Sequence, residues 1–217
     1  MTAADAESGP LPARGAETPS ISRLVSFSDA VFAIAITLLA LQLRVPTIKD
    51  SHSARELSHA LADVDGQFFT YGITFTLIGL YWLAHHRIFQ YIVGHDRRLA
   101  ELNLLFLFTI SFLPFPADLL GHYPSNRTAV IVYAGNLAAV SAASATLWVY
   151  ATRAHLTDPS LSPRLARYFV LRPIVTGAVF LASIGVAFLS ADAGARLWLL
   201  AFPALLLVRR LYPENRD

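Results

Sequence analysis

Polar side chains that can exchange protons or form strong hydrogen bonds interrupt segments that are otherwise apolar. Ser28 and Asp29 lie near the start of one apolar run, and Asn103 lies near the start of another. Between these runs, His85 and His86 lie near the end of a third. A buried carboxylate needs hydrogen-bond donors, and an imidazole or an amide can supply them. If the three runs are helices of alternating direction, these groups lie at similar depth, and we expect a polar cluster that joins the helices.

Other readings of the same residues stay open. Ser28 and Asp29 suit a helix start, where capping and the helix dipole favour small polar and acidic side chains. One of His85 and His86 can lie at the headgroup boundary beside Arg87, and the sequence does not say which joins the cluster. A metal site is not expected, because adjacent histidines point to different helix faces and no carboxylate lies at helical spacing beside them.

The run that contains Asp29 also carries a stripe of branched apolar residues. Ile34, Leu38 and Leu41 follow an i, i+4, i+7 spacing, and Thr37 lies between them on the same face. Such a stripe usually faces lipid or packs against another helix. In a ring of several copies it would instead exclude water, and the hydroxyl groups could replace part of an ion's hydration shell. Asp29 points away from this stripe.

Membrane helices are the elements that would position these groups. The 217 residues are 55% hydrophobic, with a mean hydropathy of +0.50. The apolar runs show no sustained alternation, which argues against a barrel. Each run is long enough to cross a hydrocarbon core of roughly 30 Å as a helix. They lie at about 24–45, 68–93, 99–120, 128–150, 168–190 and 195–211. The sequence therefore predicts an all-α integral membrane protein with six transmembrane helices per chain.

Basic residues are distributed unequally between the two sides of this arrangement. One side carries Arg14, Arg23, Arg87, Arg97, Arg98, Arg153, Arg164, Arg167, Arg172, Arg209, Arg210 and Arg216, and the other Arg44, Lys49, Arg55, Arg127 and Arg196. Cytoplasmic loops carry the excess of Lys and Arg. The sequence therefore predicts that both termini are cytoplasmic, and the basic balance indicates membrane orientation and not nucleic-acid binding.

The chain divides into three parts by composition. Residues 1–20 are small, polar and Pro-rich, and we expect a disordered cytoplasmic segment with no secretory signal. Residues 21–212 form the six-helix transmembrane domain, and 213–217 form a short cytoplasmic tail. The segment 45–67 is expected to contain a short amphipathic surface helix. Cysteine is absent, which excludes disulfides and cysteine nucleophiles. No nucleophile and base recur at one depth, so we do not expect an enzyme.

Short motifs in the first half resemble a known family. "RLVSFSD", of the form R-x-x-x-F-S-D, and the following "AVFAIAITLL" resemble the first helix of the transmembrane protein 175 family of lysosomal and bacterial potassium channels. "WLAHHRIF", "LNLLFLF" and "LPFPADLLG" are similar to its second and third helices. The resemblance covers roughly 23–121. It implies a single-repeat bacterial member with six helices, which forms a homotetramer.

The resemblance also implies roles for individual residues. Helix 1 of each copy would line a central pore, with an apolar constriction at Ile34, Leu38 and Leu41 and a selectivity-linked threonine at Thr37. A structural polar network would join the motif to the second and third helices. Its members are Arg23, Phe27, Ser28, Asp29, Trp82, His85, His86 and Asn103.

The function that follows is passive, potassium-selective conduction across a bacterial plasma membrane. K⁺ is the permeant ion, and the expected partners are further copies of the chain and membrane lipids, with no cofactor, bound metal or nucleic acid. The alternative is a proton-coupled secondary transporter in which Asp29 and a histidine of the second helix relay the proton. The chain shows no internal repeat of the kind that many transporters contain.

Overall fold

The computed structural model describes residues 19–211, and within that range the chain is helical, as predicted. The predicted disordered segment lies outside the described residues, except that residues 19 and 20 already belong to the first helix. The predicted tail at 213–217 also lies outside them. The described helices are α1 (Pro19–Leu41), α2 (Ala54–Ala62), α3 (Asp65–Phe89), α4 (Arg97–Phe112), α5 (Pro114–His122), α6 (Arg127–Arg153), α7 (Pro163–Ala187), α8 (Ala191–Leu197), a 3-10 turn (Trp198–Leu200) and α9 (Ala201–Leu211).

Five helical stretches of the described chain are long and apolar enough to cross a membrane. They are Ile21–Leu41, Arg97–His122, Arg127–Arg153, Pro163–Ala187 and Ala191–Val208, and each overlaps a predicted span. The span predicted at 68–93 corresponds to α3, which has 25 residues but is not among the five. Its glycines, threonines, tyrosines and histidines lower its hydropathy. The sixth crossing therefore stays a prediction.

Capping residues explain where most helices begin. Five helices start directly after a side chain that accepts a hydrogen bond from a backbone N–H of the first turn. These caps are Ser53, Asp96, Asn126, Ser162 and Ser190. The amphipathic helix expected within 45–67 is α2. The Glu56 carboxylate accepts hydrogen bonds from the backbone N–H groups of Lys49 and Asp50, at 2.7 and 3.1 Å, and so orders the loop before it.

Prolines interrupt the longer apolar segments. Pro114 is the first residue of α5, so the predicted span at 99–120 is divided into α4 and α5 at Leu113. Proline cannot donate the backbone hydrogen bond that a continuous helix requires. The last predicted span is likewise divided, because α8 passes through a 3-10 turn into α9, in which Pro203 is the third residue. Pro173 lies inside α7, which remains one helix.

The packing places α1 at the side of the bundle. α6 packs against α4 and α7, whereas the contacts of α1 are chiefly with α3, α4 and α5. One stripe of α1 faces these neighbours and is buried, at Ile21, Ser28, Phe32, Ala35 and Leu39. The opposite stripe of α1 is left uncovered in the single chain.

The end of the bundle that we predict to be cytoplasmic has its own core and a main-chain connection. Its buried cluster contains aromatic residues of three helices, Phe89, Trp148 and Phe169. The loop after α3 also pairs with the loop after α6, because Val93 N–H donates to Leu156 O at 2.9 Å and Asp158 N–H donates to Tyr91 O at 2.8 Å. The two loops are therefore held together by backbone atoms.

Candidate functional site

A chain of buried polar side chains joins α1, α3 and α4. The Asn103 amide nitrogen donates to the Ser28 hydroxyl oxygen at 2.9 Å, and the ring Nε2 of His85 lies 2.9 Å from the Asn103 amide oxygen. All three side chains are almost completely shielded from solvent. The structure thus places His85, and not His86, beside Asn103. Helical direction brings the three groups to one depth.

The donor and the acceptor of each hydrogen bond among these side chains can be assigned from the neighbouring bond. Ser28 donates its only hydroxyl hydrogen to Leu24 O, at 2.8 Å, so its oxygen must accept from the Asn103 amide nitrogen. The Asn103 oxygen therefore accepts, and His85 must donate from Nε2. Nδ1 of His85 is buried and has no hydrogen-bond partner among the described residues. Such an arrangement fits a neutral imidazole whose one proton is committed to Asn103.

Aromatic rings surround His85 on the remaining sides. Its ring stacks on Phe89 and Phe106, with centroid distances of 4.4 and 5.4 Å, and Phe32 packs against it at 5.7 Å. An apolar enclosure of this kind disfavours a charged ring. The geometry therefore suits a fixed structural contact better than a group that exchanges protons.

Asp29 belongs to a second and separate contact. The Trp82 indole nitrogen donates to Asp29 Oδ1 at 2.8 Å, and the exposed His86 ring stacks on Trp82 at a centroid distance of 5.8 Å. No described hydrogen bond joins Asp29 to His85 or Asn103. The structure therefore contains two separate polar contacts where we expected one cluster. The reason is that the consecutive residues Ser28 and Asp29 of α1 point to different neighbours.

Two residues of the R-x-x-x-F-S-D motif lie apart from both contacts. The side chains of Arg23 and Phe27 are exposed on α1 in the single chain, and Phe27 is 51% accessible. No described hydrogen bond joins Arg23 to Ser28, His85 or Asn103. The structure of one chain thus brings together five of the eight predicted network residues directly, in two groups, and His86 by ring stacking.

The predicted constriction residues share the uncovered stripe of α1. Ile34, Leu38 and Leu41 are 57%, 40% and 81% accessible. Thr37 is also exposed, and its hydroxyl donates to Ile34 O at 2.9 Å. That bond uses the hydroxyl hydrogen and leaves the oxygen free to accept or to coordinate. The exposed stripe of the single chain is thus apolar, with one oxygen acceptor at Thr37.

Polar contacts between α3, α4 and α6 were not predicted from the sequence. Tyr81 and Ser141 hydroxyls lie 3.0 Å apart, as do those of Thr74 and Tyr133, and the Asn136 amide donates to Thr109 O at 3.2 Å. The polar side chains of Tyr133, Asn136 and Ser141 within the apolar run of α6 were the available signal.

Asp96 carries a second function besides capping α4. Its carboxylate accepts a hydrogen bond from the Tyr150 hydroxyl and another from Leu99 N–H at 2.7 Å. The Tyr150 hydroxyl, and then the backbone donors, hold the pKa of Asp96 below its ordinary value. The carboxylate therefore stays ionised at neutral pH and connects the start of α4 to the end of α6.

A smaller polar contact lies just after the end of α1. Arg44 N–H donates to the Gln67 amide oxygen at 3.4 Å, and the Gln67 amide nitrogen lies 3.4 Å from His122 Nε2. His122 Nδ1 in turn contacts Asp118 at the end of α5. The segment that directly follows α1 is thus attached to α3 of its own chain. Among the described residues, no three His, Asp or Glu side chains are grouped closely enough to hold a metal ion.

Comparison with known proteins places this geometry in a family. Residues 23–114 match the family model described as endosomal/lysosomal potassium channel TMEM175. A potassium channel of Streptomyces collinus is 36% identical over 174 residues, which are 78% of this chain and 83% of that protein. The chain belongs to the TMEM175 family. The resemblance noted from the motifs is therefore confirmed.

Further comparisons extend the TMEM175 assignment to the fold. The crystal structure of a lysosomal potassium-selective channel TMEM175 homolog from Chamaesiphon minutus superposes with a TM-score of 0.75 at 28% identity, covering 88% of this chain and 99% of that one. The human endosomal/lysosomal proton channel TMEM175 is 30% identical over 159 residues, 72% of this chain but 31% of that protein. The protein is thus an integral membrane protein with the TMEM175 channel fold.

Proposed function

We propose that the protein is a potassium channel in which α1 helices of four copies surround a central passage. The observation that carries the proposal is the uncovered stripe of α1, at Ile34, Thr37, Leu38 and Leu41, on a helix whose opposite face is packed into its own chain. One chain cannot enclose a passage with a single helix. Several copies around an axis can, and cyclic symmetry is the ordinary arrangement.

Rings of Ile34 and Leu38 would form the narrowest, apolar part of the passage. Such a ring excludes water and can close by dewetting. The Thr37 hydroxyl oxygens would lie between these rings along the helix, and the lone pairs of each oxygen stay available because its bond to Ile34 O uses only the hydroxyl hydrogen. They are therefore suited to replace part of the hydration of a K⁺ ion.

Membership of the family supports potassium as the permeant ion. The Streptomyces collinus relative is named a potassium channel, and the Chamaesiphon minutus structure is titled potassium-selective. The relatives with bacterial source names favour a bacterial plasma membrane. Lipids and further copies of the chain are the partners in this proposal, and no enzymatic step is required.

The hydrogen-bond pattern favours a channel over a proton-coupled transporter. A relay would need Asp29 and a histidine of α3 in contact, whereas Asp29 accepts from Trp82 and His85 donates to Asn103. The human relative is named a proton channel, so proton permeation is the more relevant second activity. Under the channel proposal it is passive, and it needs no coupling gradient.

Replacing Thr37 tests the proposal directly. In purified protein reconstituted into bilayers with K⁺ on one side and Na⁺ on the other, we expect passive single-channel currents with a reversal potential that favours K⁺. The Thr37→Ala variant should move the reversal potential towards zero, because the hydroxyl oxygens are lost from the ion path.

Thr76→Ala is the matched control. Thr76 is also an exposed threonine and donates to the carbonyl of the preceding turn, at Gly72 O, but it lies on α3, the helix whose membrane crossing is predicted. Its removal should leave the reversal potential unchanged. An unchanged potential in Thr37→Ala, or an equal change in both variants, contradicts the proposed role of α1. Flux that requires a second ion's gradient contradicts the channel itself.

A further inference from the structure

An open groove lies between the end of α6 and the start of α7, far along the chain from the α1 stripe. Its volume is about 380 Å³, and it is lined by Thr152, Ala166, Arg167, Val170 and Leu171. The proposed conduction uses none of these residues. The groove is mainly apolar, with one permanent cation.

The position of the groove corresponds to a membrane interface. Thr152 is the penultimate residue of the span Arg127–Arg153, and the next span begins at Pro163. With a rise of about 1.5 Å per residue, Arg167 lies roughly 6 Å and Leu171 roughly 12 Å along α7 from that start. Tyr150 and Tyr168 lie at the same level, where interfacial tyrosines are typical. The groove therefore begins at headgroup level and continues to the level of the acyl chains.

Close packing fixes the two helices on which the groove is built. The Trp148 indole of α6 is buried and donates to Ala166 O of α7 at 3.0 Å. Nearer the middle of the bundle, a Cβ atom added at Gly177 would lie 3.1 Å from Ser141 Cβ, so the helices touch there. The walls of the groove are thus held in place by contacts that do not involve its occupant.

Arg167 is the one charged side chain that lines the groove, and the sequence on either side of it is mostly basic. Between positions 153 and 172 the chain carries Arg153, Arg164, Arg167 and Arg172, against a single acid, Asp158. Basic pockets between transmembrane helices on the cytoplasmic side recognise anionic headgroups. A guanidinium is suited to a phosphate because its planar donors can bind two oxygens at once.

We propose that this groove binds an anionic glycerophospholipid of the leaflet that it faces. The phosphate lies against the Arg167 guanidinium, and one acyl chain lies along Ala166, Val170 and Leu171. The apolar lining distinguishes this occupant from free phosphate, which would need further donors. The charge distinguishes it from a zwitterionic lipid, whose ammonium group would be repelled by the Arg167 guanidinium.

The test measures lipid binding to the purified, full-length protein by native mass spectrometry. Phosphatidylglycerol and phosphatidylcholine of the same chain length are titrated separately into the protein in detergent, and inorganic phosphate is added as a competitor. We expect phosphatidylglycerol to bind more tightly, and millimolar phosphate not to displace it. Binding is measured without conduction, so the result is independent of the proposed potassium current.

Two variants and one control assign that binding to the groove. Arg167→Gln should weaken phosphatidylglycerol binding about fivefold, because the guanidinium that contacts the lipid phosphate is lost. Val170→Trp should block the acyl portion and lower the number of retained lipids. Arg164→Gln removes another exposed arginine, three residues away on α7, that does not line the groove, and it should bind like the unmodified protein.

Three outcomes overturn the proposal. One is equal binding of phosphatidylglycerol and phosphatidylcholine, and another is complete displacement by inorganic phosphate. The third is an Arg167→Gln variant that binds as the Arg164→Gln control does. Arg167 is exposed, so its replacement does not threaten folding, and the test does not depend on the tryptophan variant.

Discussion

Asn103 occupies the middle of the buried chain that joins three helices, donating to Ser28 and accepting from His85. Leucine has a similar volume but no polar atoms, so Asn103→Leu would leave two buried partners without a hydrogen bond. Each unsatisfied group costs about 1–3 kcal/mol. We therefore expect a loss of roughly 2–5 kcal/mol of stability, counting two such groups with partial relaxation. The measurement is thermal unfolding in detergent, monitored by circular dichroism.

Ser111→Ala on the same helix is the comparison for this prediction. Ser111 is exposed and donates only to Phe108 O of its own helix, so its removal should change the melting temperature little. A melting temperature of Asn103→Leu equal to that of Ser111→Ala would mean that the hydrogen bonds of Asn103 with Ser28 and His85 contribute nothing to stability. If Asn103→Leu does lower the melting temperature, the double variant Asn103→Leu/Ser28→Ala should regain part of the stability, because the Ser28 hydroxyl that lost its hydrogen bond is also removed.

The depth of polar residues along the helices predicted part of the polar site, but not that the site consists of two separate contacts. The positions of Ser28, Asn103 and the histidine pair at 85 and 86 relative to the helix ends were enough to predict that Ser28, Asn103 and one histidine lie close together, and the structure identifies that histidine as His85. Rotation of α3 about its own axis decided that Trp82 meets Asp29 while His85 turns inward. That rotation depends on packing against three neighbours, and no single helix pattern contains it.

At the scale of helices, α7 and α8 meet so closely that only a glycine fits between them. A Cβ atom at Gly194 of α8 would lie 2.9 Å from both Ala187 Cβ and Ser183 O of α7. Because the second of these is a backbone atom, it cannot move without moving the helix. Gly194→Ala should therefore destabilise the protein by about 1–3 kcal/mol, the usual cost of overpacking. The melting temperature in detergent reports this change.

Gly185→Ala in α7 is the control for this contact. A Cβ atom at Gly185 has no neighbour within 4 Å, and the position is inside a helix, where alanine is preferred. This variant should be neutral or more stable by about 0.5–1 kcal/mol. If both variants lower the melting temperature equally, the close approach of α7 and α8 is not what the added methyl group disturbs.

Local signals predicted most helix positions, and long-range packing decided the rest. Pro114 and the serine, asparagine and aspartate caps explain why the helices after them begin where they do. The end of α1 at Leu41, four residues before the predicted 45, has no such signal before Pro46. The pairing of the loops after α3 and α6 was not predicted, because it joins segments more than sixty residues apart by backbone atoms alone.

At the scale of the assembly, the absence of cysteine makes single-cysteine crosslinking specific. If Ile34 lies beside the axis, the same residue of neighbouring copies comes close enough for a disulfide, which needs Cα atoms about 4.4–6.8 Å apart. Mild oxidation of Ile34→Cys in membranes should therefore yield covalent dimers, detected by non-reducing electrophoresis.

Leu181→Cys provides a matched position on α7. Its side chain is 62% accessible in the single chain, close to the 57% of Ile34, but it lies far from the α1 stripe. It should remain monomeric under the same oxidation. Equal dimer formation in Ile34→Cys and Leu181→Cys would indicate random collision in the membrane. If neither Ile34→Cys nor Leu38→Cys forms dimers, a tight ring of α1 helices is excluded.

The main-chain pairing between the loop at Val93 and the loop at Leu156 has a consequence for tolerance to substitution. Amide and carbonyl groups are the same in every residue other than proline, so this attachment survives exchange of the side chains around it. The half of the chain that lies beyond the family match at 114 can therefore vary in composition and still be anchored in register to the half that carries the motifs.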